Sequence, residues 1–309
     1  MSRRDIEFNA EGVTLRGWFY PATGMGVSAP VVVLAHGYSA VKEQYLDKYA
    51  EVFSAAGINA LVFDNRNFGA SDGEPRQEID PWQQIRDYRH AITYATTLDE
   101  VDNDRIGVWG SSYSGGHVLV VAAIDRRVKA VVSQGSLVNG VENFRRLVRP
   151  DFIPGFREQF DADRLARFNG EAPAMVPVVD EDPLAPSALP TPDSYVWFTE
   201  SGNTIAPSWK NEVTLRSVEW LSEYTPEDYI HLIAPTPLML IPADHDVLTP
   251  TDLALAAYQK AREPKRIQVI PGGHFDIYTK GFDISSGLAK DWFLQHLVGQ
   301  TQPQPSPET

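Results

Sequence analysis

Apolar residues alternate imperfectly with polar ones over residues 5–20, where Val13, Leu15 and Trp18 sit among polar neighbours. This predicts one or two antiparallel edge strands. A Pro/Gly/Ser-rich loop over 21–30 leads into an unbroken apolar run at 31–35. A run without alternation suits a strand covered on both faces. Helical spacing follows at Tyr45, Leu46, Tyr49, Val52 and Phe53 within 43–56, closed by Gly57. A strand is then expected at 58–63 and a helix over 81–97. The apolar run 106–109 ends abruptly in Gly110-Ser111-Ser112-Tyr113-Ser114-Gly115-Gly116, and a second apolar run, 118–124, follows without breakers. Together they predict a strand, a sharp turn and a helix. Another strand is expected at 128–132.

The rhythm is lost over 137–233, which shows no clear buried strand but aromatic-rich helical pieces and a proline-rich stretch at 173–192. It returns with a strand at 237–241, a helix near 251–262, a strand at 266–270 and a last helix near 284–297. Alternating strands and helices predict an α/β fold, a mostly parallel twisted sheet flanked by helices. The expected organisation is a core from 1–136 and 234–299, a helical cap inserted late in the sheet at 137–233, and a disordered proline-rich tail at 300–309.

Composition narrows the function classes. The formal net charge of −14 repels phosphate backbones and anionic lipid, so neither nucleic acid nor a membrane surface is an expected partner. There is no cysteine, which removes thiolate catalysis, disulfides and cysteine-ligated metal. No apolar run approaches bilayer length, and Met1-Ser2-Arg3-Arg4-Asp5 leads into no apolar segment of a secretory signal. A cytoplasmic location is therefore expected, with no cofactor and no metal.

A serine at the tip of a strand–turn–helix is pushed into an open site beside the N–H groups of a helix start, which makes Ser112 the candidate nucleophile. Serine needs a base, a group that orients the base, and donors for the developing oxyanion. His274, in Pro271-Gly272-Gly273-His274-Phe275, is the candidate base. A loop histidine is commonly solvated, but glycines after a late strand allow an imidazole to be held over the sheet edge. The candidate acid is Asp246, with Asp244 its competitor; Val247, Leu248 and Pro250 follow Asp246 and suit a carboxylate walled from water. The N–H groups of Tyr113 and Tyr38 are the candidate oxyanion donors, the second in the loop His36-Gly37-Tyr38-Ser39. His36 is read as a packed structural residue.

With these residues assembled, the chain resembles the α/β-hydrolase superfamily over about 10–135 and 235–297. The resemblance rests on His36-Gly37, Gly110-Ser111-Ser112-Tyr113, the acid loop, Gly272-Gly273-His274, and the order serine, acid, histidine. Asp64-Asn65-Arg66-Asn67-Phe68-Gly69-Ala70-Ser71-Asp72-Gly73 is similar to the superfamily's D-x-R-x-x-G-x-S-x-G loop, read as structural. The elbow departs from G-x-S-x-G, because Ser114 stands where glycine is usual. The fit is G-x-S-Y-x-G, similar to a branch of X-Pro dipeptidyl-peptidase-like, cocaine-esterase-like, dienelactone-hydrolase-like and fungal polyketide-pathway hydrolases. The departure leaves Ser111 and Ser114 as competing nucleophiles, with the spacing from Gly110 favouring Ser112.

The resemblance implies a cofactor-independent serine hydrolase that cleaves a carboxylic ester or thioester with an apolar part through an acyl-enzyme. Two alternatives stand beside it. One is specialised acyl processing by a polyketide thioesterase, acyltransferase or X-Pro-type peptidase; the other is a non-catalytic binding protein on the same fold. The expected partner is a small-molecule acyl substrate, and a homo-oligomer is left open. Ten aromatic residues of the 137–233 segment, from Phe144 through Phe152, Phe156, Phe160, Phe168, Trp197, Phe198, Trp209 and Trp220 to Tyr224, are expected to form its own core, a few of them lining a pocket. Arg145, Arg146 and Arg149 are expected to be solvated rather than to bind a substrate carboxylate.

Overall fold

The unbroken apolar run at 31–35 becomes a strand near the centre of one eight-stranded sheet. The computed structural model describes residues 3–24 and 28–299, so the tail expected at 300–309 lies outside the described residues. The first half of the chain gives β1 (Arg4–Ala10), β2 (Val13–Tyr20), β3 (Ala29–Ala35), α1 (Leu46–Ala55), β4 (Asn59–Phe63), α2 (Pro81–Ala95), β5 (Val101–Ser111), α3 (Tyr113–Ile124) and β6 (Val128–Gln134). Next come α4 (Gly140–Leu147), α5 (Ile153–Phe168), β7 (Met175–Val176), α6 (Pro192–Thr204), β8 (Val213–Thr214) and α7 (Leu215–Glu223). The chain then returns to the sheet as β9 (Leu238–Ile241), α8 (Thr251–Lys260), β10 (Lys265–Ile267) and α9 (Phe282–Phe293).

Eight strands lie in the order β1-β2-β4-β3-β5-β6-β9-β10. The β1–β2 and β2–β4 pairs are antiparallel and all the others parallel. The mostly parallel α/β fold read from the sequence is therefore correct. β3 and β4 are buried along their whole length, whereas β1 alternates, pointing Ile6, Phe8 and Ala10 inward. Alternation marks β1 as the edge; β2, with a similar sequence pattern, sits one place inside. Helices cover both faces. Successive side chains on a strand point to opposite faces, and Gly107 abuts Phe293 and Leu297 while Gly110 abuts Val118 of α3.

The differences from expectation have local causes. β5 begins at Val101, well before the apolar run at 106–109, because it pairs with β3 from Ala29 onward through polar residues that hide the pattern. β10 ends at Ile267, and Ile270 keeps only a single bridge to Ala243. β7 and β8 pair with each other within 137–233, where no clear buried strand was expected; two-residue strands carry no period to read. The aromatic residues of this segment divide: Phe160, Trp197, Phe198 and Tyr224 are buried, while Phe168 is 86% exposed and belongs to no core. Arg145, Arg146 and Arg149 pair at the surface with Glu142, Asp252 and Asp151. Among the described residues no helix is long and apolar enough to cross a membrane.

Two buried ion pairs fix the 64–73 loop. The Asp64 carboxylate accepts from Lys42 Nζ at 2.6 Å and from the N–H groups of Lys42 and Ala70 at 2.8 and 2.9 Å. Arg66 clasps Asp87 of α2 through Nε and Nη2 at 2.7 and 2.5 Å. Asp80 caps α2 by accepting from the N–H groups of Trp82 and Gln83, with Pro81 in the first turn. Removing one partner of a buried pair leaves an uncompensated charge. Asp87→Ala is expected to lower unfolding stability by about 3–5 kcal/mol, read as a lower urea midpoint.

Candidate active site

Parallel strands in register bring their C-terminal ends to one edge. Ala35 of β3 pairs beside Gly110 of β5, Ser111 beside Gln134 of β6, and Gln134 beside Ile241 of β9. The chain leaves β3 for β4 on one side and returns from β4 to β5 on the other. The strand order therefore switches direction between β3 and β5, and a crevice opens beyond their ends. The loops after β3, β5, β6 and β9 all converge there.

Ser112 occupies the turn between β5 and α3 at φ 59° and ψ −122°, a backbone region that non-glycine residues rarely enter. Its N–H donates to Gln134 O at 2.8 Å and its carbonyl accepts from the Leu137 N–H at 3.0 Å, so the β6 end and the loop after it hold the strained turn. Ser112 Oγ lies 3.0 Å from His274 Nε2, and His274 Nδ1 lies 2.7 Å from Asp246 Oδ2. The imidazole thus turns Nδ1 to a carboxylate acceptor and Nε2 to the serine hydroxyl. His274 and Asp246 are buried.

The competing residues point elsewhere. Asp244 is half-exposed, accepts from the Gly272 N–H at 2.9 Å and pairs with His245. Those contacts, the Gly272 N–H first, hold its carboxyl below the usual carboxylate range. Ser111 Oγ accepts from the Tyr278 hydroxyl at 2.5 Å. Ser114 Oγ bonds the Tyr88 hydroxyl at 2.6 Å. Ser114 thus has room and a partner for a side chain where glycine is usual, whereas a Cβ on Gly115 would come within 2.7 Å of Ser136 Oγ. This is the physical reason the elbow glycine stands at 115 in this chain.

The loop after β3 presses on the serine. A Cβ on Gly37 would lie 2.7 Å from Ser112 Cβ and 3.2 Å from its Oγ, so only glycine allows the main chain this close. Tyr38 follows directly, and the Tyr113 N–H is the first of α3, a position with no acceptor in its own helix. The two rings meet edge to face at 5.4 Å. Burial pushes both phenols well above their ordinary range, so they remain protonated. His36 is packed as expected, with Nε2 against Gln44 O at 2.7 Å and Nδ1 accepting from the Gly37 N–H at 2.9 Å.

Three features carried no sequence signal. Thr249 N–H and Leu248 N–H donate to Asp246 Oδ1 at 2.7 and 3.0 Å, while Thr249 Oγ1 lies 2.9 Å from Asp246 Oδ2 and 3.0 Å from Gly135 O. Gln134 and Gly135 support the turn through the backbone. Finally, Tyr38, Leu189, Trp197, Phe198, Leu248 and Phe275 crowd the serine, leaving a cavity of about 10 Å³, room for about one water.

A family described as having the alpha/beta hydrolase fold matches residues 30–281. A thiohydrolase of Eupenicillium brefeldianum is 30% identical over 282 residues, spanning 90% of this chain and 89% of that protein. The quorum-quenching protein AidA of Acinetobacter baumannii is 33% identical over 284 residues, 89% of this chain and 88% of its own. The crystal structure of the alpha/beta hydrolase GrgF from Penicillium sp. sh18 superposes with a TM-score of 0.83 at 28% identity, covering 96% of this chain and all of that one.

Beneath the turn, His117 of α3 is wholly buried, Nε2 2.9 Å from Gln84 Oε1 and Nδ1 3.1 Å from the Tyr224 hydroxyl. Burial lowers its pKa to about 3, and that of His36 to about 4. An unfolded histidine titrates near pH ~6.5, so below that pH the unfolded chain binds the extra proton. Their stabilisation is complete above about pH 6.5 and is lost progressively as the pH falls towards the folded values. His117→Gln is expected to reduce the proton uptake on unfolding at about pH 5 by up to about one proton, measured from the pH dependence of the urea midpoint.

Proposed function

The chain belongs to the α/β-hydrolase family, and from that premise we propose that it is a serine hydrolase cleaving a carboxylic ester or thioester with an apolar part. The observation that carries this reading is the unbroken chain from Ser112 Oγ through His274 to Asp246, at 3.0 and 2.7 Å. Thioester cleavage is supported by the thiohydrolase among the relatives.

On this reading His274 Nε2 takes the Ser112 proton as Oγ attacks the substrate carbonyl carbon, and Asp246 stabilises the imidazolium. The N–H groups of Tyr38 and Tyr113 receive the negative charge that develops on the carbonyl oxygen. Collapse of the tetrahedral intermediate expels the alkoxide or thiolate, which His274 protonates, leaving an acyl ester on Ser112. A water then gives its proton to His274 and attacks the acyl carbon, and a second collapse frees the acid and restores the serine. The core is 1–136 with 234–299, and 137–233 is a cap that selects the acyl or alcohol group. The apolar side chains from that segment at the serine, Leu189, Trp197 and Phe198, support this division. The acidic chain acts in the cytoplasm.

Ser112→Ala is expected to lower kcat on p-nitrophenyl acetate by about 10⁴-fold or more and to abolish labelling by a fluorophosphonate. Full turnover by a pure Ser112→Ala preparation would overturn the assignment. Thr249 orients Asp246 without touching substrate. Thr249→Val should lower kcat about tenfold, in line with the loss of one hydrogen bond to a charged group, with KM little changed; Thr249→Ser should restore it. An equal loss in both variants would point to packing rather than the hydroxyl.

A further inference from the structure

The loop after β3 is closed from inside by one wholly buried amide, Gln44. Its Oε1 accepts from the Val41 N–H at 2.9 Å, and its own N–H donates to Val41 O at 2.9 Å. Its carbonyl lies 2.7 Å from His36 Nε2, and His36 Nδ1 accepts from the Gly37 N–H at 2.9 Å. Gln44 therefore braces both ends of the stretch that carries Tyr38. Within that stretch the N–H groups of Gly37, Val41 and Lys42 are taken by His36, Gln44 and Asp64. The Tyr38 N–H has no acceptor among the described residues.

The Nε2 of the same amide reaches out of the loop. It donates to Ser201 Oγ at 2.7 Å, and Ser201 Oγ donates to Trp197 O at 2.6 Å. Ser201 is buried on α6, 157 residues further along the chain. Among the described residues this is the one hydrogen bond between the β3 loop and α6. Trp197 and Phe198 of α6 stand with Tyr38 in the wall of the Ser112 space. An apolar contact between two elements tolerates sliding. A buried hydrogen bond weakens steeply with angle and specifies one placement.

We propose that Gln44 and Ser201 are positioning residues for the oxyanion: through their hydrogen bond, α6 holds the Tyr38 N–H where the charge of the tetrahedral intermediate develops. This rests on Ser112 being the nucleophile and the Tyr38 N–H an oxyanion donor. Neither Gln44 nor Ser201 lines the Ser112 space, so both act through the loop and not on the substrate. Oxyanion stabilisation depends on donors that are already aimed before the charge appears. Slack in the loop therefore costs kcat and leaves ground-state binding alone. The 137–233 segment thereby contributes to bond making as well as to the wall.

The test uses p-nitrophenyl acetate and a trifluoromethyl ketone, to whose carbonyl carbon Ser112 Oγ adds, with the proton passing to His274 and the charge to the oxygen. Titration with a fluorophosphonate counts the folded sites, so rates are compared per site. Ser201→Ala is expected to lower kcat about tenfold, a fraction of the roughly 10²–10³-fold loss on removing an oxyanion donor outright. KM should change little, and the inhibition constant of the ketone should rise by the same factor as kcat falls. Gln44→Met breaks the bond from the other side and should raise that constant at least as much. Ser201→Thr keeps the hydroxyl and should restore both values. The pH profile of kcat/KM should stay as in the wild type, because His274 and Asp246 are untouched. Unchanged kcat and unchanged ketone inhibition in Ser201→Ala and Gln44→Met would overturn the proposal. So would an equal loss in Ser201→Ala and Ser201→Thr, which traces to packing, or a shifted pH profile, which traces to His274. A wild type that the ketone does not inhibit, or acetate turnover surviving Ser112→Ala, would overturn the nucleophile instead.

Discussion

The structure depends on one strained residue. Ser112 sits at positive φ because β5 must end and α3 must begin within a single residue, and the side chain at that point has nowhere to go but the crevice. The strain persists because the surroundings over-determine it. The end of β6 and the loop after it grip the Ser112 main chain at both its N–H and its carbonyl, and Gly37 closes from the other side. The buried helix α3 anchors the far end of the turn. Parallel pairing brings the C-terminal ends of the strands to one edge, so the loops after β3, β5, β6, β9 and β10 meet there, although about a hundred residues separate β6 from β9.

The same packing that positions Ser112 also shuts it in. The apolar wall around the serine lowers the local polarity, where hydrogen bonds to a developing charge count for more than they do in water. The consequence is a site whose immediate space holds about one water, while a roomier cavity lies within the 137–233 segment. The loops at the strand ends fix the polar atoms at the serine, and Leu189, Trp197 and Phe198 of the 137–233 segment share with core residues in walling the space around them.

Ser112 and His274 were legible because glycines flank them, and glycine clusters after apolar runs mark turns at strand ends. Between Asp244 and Asp246 the sequence offered only a hydrophobic neighbourhood as a guide; the structure brings Asp246 to His274 and leaves Asp244 on a loop N–H. Thr249 had no such marker. Its hydroxyl lies against Asp246, His274 Nδ1 and the Gly135 carbonyl, and Gly135 is more than a hundred residues away in the chain. Ser114 looked like a lapse in the motif and is instead a buried hydroxyl paired with Tyr88.

By itself the sequence determined the α/β alternation, the parallel sheet and the turn that presents Ser112, because these follow from local periodicity and from glycine and serine at fixed offsets. Tertiary structure alone decided how long β5 runs, that β2 lies inside rather than at the edge, which acid meets the histidine, and how little space the serine retains. Each of those outcomes is set by contacts between residues far apart in the chain, and such contacts leave no periodic trace in the order of residues.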